Sequence, residues 1–230
     1  ERKIVMAKRG IYKVKASSVE FVNVLDPATN EMKKVKILHV LENKANPHLV
    51  RSVIITKGAA IETCGLFAAT FPEIIRNELG AETLRELEKT FYQMSTVEDA
   101  LTAADGDARK AGITSMHDAT ECGVWGGLYE IARASGTGIT VDKNAIPLAR
   151  AAKKLCSHFG IDPYAAISEG TLLITSRPGA AGVLIKRLAG KGIDAALIGE
   201  VTEAAKGVRV TERGKERALK HPVNDPFWPA

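Results

Sequence analysis

The sequence predicts a layered α/β domain that follows a β-hairpin. Short apolar runs typical of buried strands alternate with helix-compatible runs from about residue 51 onward. The connecting stretches are short and are marked by glycine or proline, as in compact domains. Alternating strands and helices bury their apolar faces most readily when the helices lie on a sheet, so we expect that architecture.

Residues 11–24 and 33–41 are predicted to form the hairpin. Together these runs are rich in Val, Ile, Phe and Tyr, which favour strands. Turn-forming residues separate them at positions 26–30. In the second run Val35 and Ile37 alternate with lysines, a pattern typical of a half-buried strand.

From residue 51 the apolar pattern predicts six strands and seven helices. The predicted strands are 51–56, 113–116, 139–141, 171–175, 195–198 and 208–211. The first predicted helix ends near Thr70, and the others are 71–80, 81–94, 96–104, 128–134, 148–159 and 179–188. In the third helix Leu84, Leu87 and Phe91 share one face.

Two local features help to delimit these helices. Thr96 with Asp99 resembles a capping box, so we expect it to begin the fourth helix. A glycine-containing turn is predicted at 117–127, ahead of the fifth helix.

The composition is that of an ordinary globular protein, with 45% hydrophobic and 26% charged residues among 230. No apolar run approaches the ~20 residues that cross a bilayer, and no apolar secretory core follows the first residues, so we expect no membrane association. Cys64, Cys122 and Cys156 lack the paired spacing of a zinc site. They predict free thiols in the reducing cytoplasm.

The net charge of +5 lies in the first fifth of the chain. Residues 1–50 hold ten Lys and Arg against five Asp and Glu, and the remaining 22 basic and 22 acidic residues cancel. A basic segment is typical of proteins that bind anionic partners, but also of a solvated lysine face that protects a sheet edge. Because aromatic stacking residues do not accompany the lysine-rich run 33–36, the second interpretation is favoured. Nucleic acid is therefore not expected as a partner.

The first candidate site is the turn after the strand 51–56. Gly58 lets the backbone approach a ligand, the helix start that follows carries partial positive charge, and Lys57 adds a full charge. This combination suits a phosphate group. The segment is neither a Walker A loop nor GxGxxG, and taken alone it favours the alternative, an ordinary helix start.

The second candidate is the run 116–127, which groups an imidazole, two carboxylates, a hydroxyl and a thiol ahead of a helix. Asp118 and Glu121 offer the oxygen ligands that Mg²⁺ prefers, and His117 can transfer protons near neutral pH. Cys122, near a helix start, is expected to have a lowered pKa. The alternative, weighted evenly, is that a carboxylate or hydroxyl caps the helix while the histidine is buried and hydrogen-bonded.

The third candidate is Ser168-Glu169-Gly170, directly before the strand 171–175. Polar groups at the start of a strand can line an opening. The alternative is a simple turn, and taken alone this segment favours the turn.

These three segments, in this order, resemble the aminoimidazole-ribotide-synthetase (PurM-like) superfamily. The run Met116-His117-Asp118-Ala119-Thr120-Glu121-Cys122-Gly123-Val124 is similar to its central motif. The pattern continues as Gly136-Thr137-Gly138-Ile139, Gly160-Ile161-Asp162-Pro163, Ser168-Glu169-Gly170-Thr171-Leu172-Leu173-Ile174 and Ile198-Gly199-Glu200-Val201. Over roughly residues 51–212 it is most similar to the branch of hydrogenase-maturation factors called HypE.

The resemblance implies an α+β fold, with a layered α/β/α domain like the PurM C-terminal domain after an N-terminal β-hairpin. Residues 1–50 would be a basic hairpin segment, a remnant or linker of an absent N-terminal domain, and residues 51–230 the C-terminal domain. Members of the superfamily generally use ATP and Mg²⁺ to phosphorylate or activate a substrate oxygen. They form homodimers through their N-terminal domains.

The resemblance also implies site residues. Asp118, Glu121 and His117 would be catalytic, with Asp118 at the metal. The residues implied to bind the nucleotide are Lys57, Gly58, Thr120, Gly123, Glu169 and Gly170.

Two functions stay open at this point. Residues 1–50 contain one aspartate, Asp26, and no glycine-rich stretch, so we do not expect the aspartate-rich half of the ATP site in this chain. Nor does the chain end in the cysteine that accepts a carbamoyl group in HypE. In the first, the chain is the C-terminal domain of an ATP-dependent enzyme, of phosphoryl-transfer or ligase type, or of a maturation factor. A separate N-terminal domain or a partner protein would complete it. In the second, the chain is a non-catalytic module that binds a nucleotide or a protein.

Overall fold

The structure, a computed structural model, describes residues 3–7, 10–14, 18–26, 31–39 and 51–228. Contacts between Cα atoms divide the chain into two units, Glu1–Ala45 and Asn46–Ala230.

The first unit contains two antiparallel strand pairs. Strand β1 (Lys3–Ala7) pairs with β2 (Gly10–Val14), and β3 (Ser18–Asp26) pairs with β4 (Glu31–His39). The pairing of β3 with β4 confirms the predicted hairpin, although the predicted first run is divided between β2 and β3. Residues 27–30 of the predicted turn, and the side chains on all four strands, lie outside what the structure describes.

The second unit is built on a seven-stranded mixed sheet. The strand order is β11-β10-β7-β9-β5-β8-β6, in which β7 and β10 are parallel and the other neighbours are antiparallel. The strands are β5 (Arg51–Thr56), β6 (Ile113–Asp118), β7 (Gly138–Asp142), β8 (Leu172–Ser176), β9 (Ala195–Thr202), β10 (Val208–Glu212) and β11 (Lys215–Ala218).

Seven α-helices and two short 3-10 turns accompany this sheet in the described residues. The helices are α1 (Ile61–Thr70), α2 (Pro72–Leu79), α3 (Ala81–Phe91), α4 (Val97–Ala104), α5 (Gly123–Ser135), α6 (Arg150–Phe159) and α7 (Ala181–Ala189), and the 3-10 turns are Lys143–Ala145 and Ala204–Lys206.

Helices cover both faces of the sheet. Successive side chains of a strand point to opposite faces, so one strand can pack against helices on both sides. In β5, Val53 and Ile55 share an apolar cluster with Leu128 of α5. Ile54 points the other way and shares a second cluster with Leu184 of α7. All five side chains are fully buried, and the α/β/α layering predicted from the sequence is confirmed.

Helices α1, α2, α3 and α6 enclose a third apolar cluster, which contains Ile75, Leu84, Leu87 and Leu155. Phe91, which shares a helical face with two of these leucines in the sequence, is instead 43% exposed. It is the last residue of α3, and its ring contacts the exposed Tyr92 ring at a centroid distance of 5.7 Å. The periodic pattern therefore predicts the middle of α3 better than its end.

Helix α5 begins at Gly123, so the predicted turn at 117–127 was too long. Its glycines serve packing, not a turn. A Cβ on Gly126 would lie 2.7 Å from the Glu121 carbonyl oxygen, and one on Gly127 would lie 2.9 Å from the Leu173 side chain of β8. Glycine at these positions lets α5 approach the sheet closely.

Two further boundaries differ from the prediction. Strand β6 extends to Asp118, which places His117 on the strand. Strand β11 follows β10 and pairs with it antiparallel, although it is not among the strands predicted from the sequence. All residues of β11 are exposed, and a fully solvated edge strand lacks the alternation by which strands are recognised.

The three cysteines are free and buried. Within the described residues, no helix is both long enough and apolar enough to cross a membrane.

Candidate functional site

The sheet brings the first and third candidate segments together. Strand β8 is antiparallel to β5, so the start of β8 lies beside the end of β5. The Leu172 amide donates to the Thr56 hydroxyl at 3.2 Å, and the Thr171 hydroxyl donates to the Gly58 carbonyl oxygen. The two turns therefore form one hydrogen-bonded edge.

Ser168 completes this junction. Its hydroxyl is fully buried, accepts a hydrogen bond from the Ile61 amide at 3.3 Å and lies 2.7 Å from the Thr171 hydroxyl. The Ile61 amide is one of the free donors of the first turn of α1, so Ser168 caps this helix from a distant part of the chain. Next to it, the Glu169 amide donates to the Glu62 carboxylate at 3.2 Å.

The second candidate segment joins the same edge from the other side. Strand β6 is also antiparallel to β8, and the Ala119 amide donates to the Thr171 carbonyl oxygen at 2.9 Å. The Ser168 amide donates to the Thr120 carbonyl oxygen at 3.2 Å. All three predicted segments thus meet around the turn that precedes β8, which we call the β8 edge (residues 56–62, 117–123 and 168–171).

Two predicted site glycines are required by close packing at this edge. Gly123, with φ of +54°, and Gly170, with φ of +101°, are in conformations that L-residues rarely adopt. A Cβ at Gly123 would clash with the Ala166 carbonyl oxygen, and one at Gly170 with the Gln93 carbonyl oxygen. These glycines shape the edge whether or not a ligand contacts them.

Lys57 is held in an ion pair at the β8 edge. Its ammonium lies 3.0 Å from the Asp99 carboxylate and donates to the Ser95 carbonyl oxygen at 2.8 Å. The side chains of Lys57 and Asp99 are 13% and 3% exposed.

This ion pair corrects the predicted capping box. The Asp99 carboxylate binds Lys57, and Thr96 caps α4 with no side-chain hydrogen bond. The neighbouring Ser95 hydroxyl instead accepts from the Val97 amide at 3.3 Å. A distant lysine thus competes successfully for the carboxylate that a local motif would use.

The phosphate contact expected at Lys57 and Gly58 stays a prediction. In this structure the Lys57 amide donates to Asp194, the Gly58 amide to Thr56 and the Ala59 amide to Pro147, all at backbone carbonyl oxygens within 3.0 Å. A phosphate would have to compete with these acceptors for the amides and with Asp99 for the ammonium.

His117 forms a charged cluster with two carboxylates on the surface of the unit. Its Nε2 lies 2.6 Å from Glu130 and its Nδ1 lies 3.6 Å from Asp118. Burial disfavours the imidazolium, but the two carboxylates outweigh it and raise the pKa of His117 to about 9. A pKa of about 9 favours the imidazolium at neutral pH, and the proton-transfer role expected for His117 from the sequence stays a prediction.

The same pairing acts on the carboxylates. The neighbouring His117 lowers the pKa of Asp118 and that of Glu130. Asp118 is about half exposed, and its lowered pKa favours the ionised form. An ionised carboxylate is the form that can bind a cation or accept a hydrogen bond from a substrate. Glu130, which no sequence motif singled out, lies on α5 thirteen positions after His117.

Cys122 is not an activated thiol, contrary to the prediction. It is 8% exposed, and burial, reinforced by the nearby Asp225 carboxylate, raises its pKa. The Cys122 amide donates to Asp225 at 2.6 Å, so the segment after β11 supplies the acceptor at the start of α5. The partial positive charge of the helix start is thereby used by an internal carboxylate instead of the thiol.

Several carboxylates lie close together here: Glu62, Glu121 and Glu169 of the β8 edge, and Asp225 from the segment after β11. Burial and the three neighbouring acidic groups raise the pKa of Glu62. Among residues 51–228 and the described strands before them, no group of three or more His, Cys, Asp and Glu side chains has an arrangement that fits a metal ion. The metal contact expected at Asp118 stays a prediction.

Comparison with known proteins identifies the second unit. Residues 52–212 match the family model described as AIR synthase related protein, C-terminal domain. The chain is 37% identical over 119 residues to carbamoyl dehydratase HypE of Escherichia coli, an alignment that covers 50% of this chain and 35% of HypE.

A separate similarity connects the chain to ribosomal proteins. It is 46% identical over 59 residues to small ribosomal subunit protein eS8 of Hyperthermus butylicus and 52% identical over 61 residues to that of Methanococcus aeolicus. Each alignment covers 26% of this chain, and they cover 43% and 48% of the ribosomal proteins. The chain therefore spans less than half the length of these curated relatives.

Solved structures show the same fold. The crystal structure of E. coli HypE superposes with a TM-score of 0.62 at 26% identity, covering 82% of this chain and 55% of HypE. A structure of HypE in complex with ATP superposes with a TM-score of 0.57 at 20% identity, with the same coverage of both chains. With its HypE-like fold and a family match over 52–212, the chain belongs to the AIR synthase related proteins and contains their C-terminal domain.

Proposed function

We propose that this chain is the C-terminal domain of a HypE-like, ATP-dependent enzyme or maturation factor, and that its β8 edge helps to bind Mg-ATP and substrate. The observation that carries the proposal is the convergence of the three segments of the family pattern at one edge of the sheet. The existence of an ATP complex of HypE with this fold supports it. Fold likeness alone does not fix the reaction.

The charges of the edge suggest how its residues would share the work. Asp118 and Glu121 would accept hydrogen bonds from substrate or contact the metal that accompanies the nucleotide. Because His117 has a pKa of about 9, it would act as a fixed positive charge that stabilises developing negative charge. Gly58, Thr120, Gly123, Glu169 and Gly170 would shape the surface that the nucleotide contacts.

Mg²⁺ fits this chain only in part. The carboxylates at the edge have the oxygen chemistry that the ion prefers, but the described residues form no complete metal group. We therefore propose that the nucleotide and a second domain supply the remaining ligands. That domain would come from a separate chain or a maturation partner. A solved complex of HypE with HypF shares the fold, with a TM-score of 0.54. A cytoplasmic homodimer is part of the same proposal.

Isothermal titration calorimetry of Mg-ATP against the 230-residue chain tests the proposal. We expect binding that Asp118→Asn and Glu121→Gln each weaken by about tenfold, since each removes a charged partner of the ligand. Glu200→Gln, an exposed carboxylate on β9, is the matched control and should leave the affinity unchanged. Absence of binding to the unmodified chain would refute a nucleotide site within it and favour a non-catalytic module.

A non-catalytic module that binds RNA is the second candidate. The similarity to ribosomal proteins and the excess of positive charge in residues 1–50 favour it, against the expectation drawn from the lysine-rich run alone. Binding to a polyanion through this segment would weaken steeply with salt. The domain of residues 52–212 would then catalyse no reaction.

Filter binding to small-subunit ribosomal RNA distinguishes this candidate. Replacing Lys33, Lys34 and Lys36 with glutamate should weaken binding by more than tenfold and flatten its salt dependence. Glutamate at the exposed Lys186, Lys191 and Lys206 of the second unit is the charge-matched control. Equal losses in both triple variants would mean that only the net charge matters, and the candidate would fail.

A further inference from the structure

The turn after β5 is held in a strained conformation. Lys57 and Ala60 have φ of +59° and +60°, and Gly58 between them has φ of +133°. Left-handed conformations are unfavourable for residues with a Cβ, and they persist where the surrounding structure imposes them. Something must therefore hold residues 57–60 in place.

The Lys57–Asp99 pair is the contact suited to do so. It joins this turn to α4 across 42 positions of sequence. Among the described residues, Lys57 is the one donor that reaches the Asp99 carboxylate, whose second oxygen is buried without a hydrogen-bond partner. A buried carboxylate that would otherwise be unpaired binds its lysine strongly, because separating the two leaves a charge out of water.

The position of the turn matters because other groups of the β8 edge depend on it. The Gly58 carbonyl oxygen accepts from Thr171, and the Ile61 amide donates to Ser168. If residues 57–60 relaxed to an ordinary conformation, both hydrogen bonds would be lost. The Ser168 turn also carries the contact to Thr120, so the effect would reach the segment that contains Asp118.

We infer that Lys57 and Asp99 are a positioning pair, which holds the turn 57–60 so that the three segments of the β8 edge meet, and that Lys57 does not itself contact the phosphate. This inference deepens the proposed function and rests on it for its consequence in nucleotide binding. Its structural part, the control of the turn by Asp99, stands without any ligand.

The two possible roles of Lys57 predict opposite effects of Asp99→Asn. If Lys57 contacted phosphate, removing the charge of Asp99 would free the ammonium and strengthen Mg-ATP binding. If the pair positions the turn, the same change loosens the edge and weakens binding. Lys57→Met weakens binding in both cases, so Asp99 is the residue that discriminates between them.

The first measurement uses the full chain without ligand. Hydrogen exchange at the amides of 57–61 and 168–171 should accelerate roughly tenfold or more in Asp99→Asn and in Lys57→Met, since each breaks the ion pair that links the turn to α4. The paired apolar variant, Lys57→Met with Asp99→Leu, removes both charges of the pair and keeps the fold measurable. It should show the same acceleration at these amides and unchanged protection in β9.

Asp105→Asn provides the matched control, because Asp105 pairs with Arg187 at the opposite end of α4 and is largely exposed. This variant should leave exchange at the β8 edge unchanged. If the apolar pair also left that exchange unchanged, the positioning role would be overturned.

The second measurement is Mg-ATP affinity by calorimetry on the same variants. We expect Asp99→Asn and Lys57→Met to weaken binding about equally, and the double variant to be no weaker than either, as for residues that act as one unit. Stronger binding by Asp99→Asn would overturn the inference. If the unmodified chain does not bind Mg-ATP, the proposed function fails, and the exchange result still decides the structural role of the pair.

Discussion

At the scale of single residues, partners distant in sequence set the chemistry of the candidate site. The carboxylates of Glu130 and Asp118 raise the pKa of His117, and burial, reinforced by Asp225, raises the pKa of the Cys122 thiol. The sequence motif contains both residues but does not specify the protonation state of either one. The partners decide which chemistry is available.

We predict that His117 titrates near pH 9. Its folded pKa of about 9 exceeds its ordinary value of 6.5, so the pairing stabilises the fold fully below pH 6.5. That stabilisation is lost as the pH rises from 6.5 to 9. It should amount to about 1 kcal/mol, since solvent screens the half-exposed carboxylates.

NMR titration of the imidazole in Glu130→Gln provides the measurement. The pKa should fall toward its ordinary value, because a hydrogen-bonded charge is removed. Glu88→Gln on the exposed face of α3 should leave the titration unchanged. An unshifted pKa in Glu130→Gln would show that Asp118 alone maintains the charge.

At the scale of elements, helix periodicity, strand alternation and glycine positions predicted most of the secondary structure. These signals are local, since each reports the few residues around it. The prediction was wrong where contacts from elsewhere compete, as at Asp99, which binds Lys57 instead of capping α4. It was also wrong where glycine serves packing, as at Gly126 and Gly127 in α5.

The glycines at the two ends of α5, Gly123 and Gly136, offer a matched test of packing at the candidate site. Gly123 and Gly136 have similar φ, +54° and +63°, but a Cβ would clash with the Ala166 carbonyl oxygen at Gly123 and meet nothing within 4 Å at Gly136. We expect Gly136→Ala to lower the free energy of unfolding by about 1 kcal/mol from backbone strain, and Gly123→Ala by about 3 kcal/mol from strain and overpacking together. Urea denaturation measures both. Equal losses of unfolding free energy in the two variants would show that the Ala166 backbone can move away from the new Cβ without destabilising the fold.

The start of α4 provides a second test. Ser95→Ala removes the hydroxyl that accepts from the Val97 amide and should cost about 1 kcal/mol. Thr96→Ala should change the free energy of unfolding by less than about 0.5 kcal/mol, since its side chain makes no capping bond. Chemical denaturation measures both changes. A larger loss of unfolding free energy in Thr96→Ala than in Ser95→Ala would support the capping box that the sequence suggested.

At the scale of the whole molecule, the two units differ in kind. The first has the excess positive charge, and the second has a net charge near zero and the family match. The seven-stranded sheet and all described residues of the three apolar clusters lie in the second unit. Its stability should therefore not depend on the first.

We predict that the fragment 46–230 folds on its own. Its Tm should lie within about 4 °C of that of the full chain, which corresponds to about 1 kcal/mol, because the described residues of its three apolar clusters all lie within the fragment. Differential scanning calorimetry of both proteins checks this. A fragment that fails to unfold cooperatively would show that residues 1–45 contribute to the core.

The sequence by itself determined the order and type of most elements, the family and the three segments of the candidate site, because apolar periodicity and motif residues are written along the chain. Tertiary structure decided which of those segments are adjacent and which of their groups interact. Antiparallel pairing of β8 with β5 and β6 placed them at one edge. It also brought Asp99 to Lys57 across 42 positions and Asp225 to Cys122 across 103. Charge state and hydrogen bonding depend on which groups are near in space, and only the fold determines that.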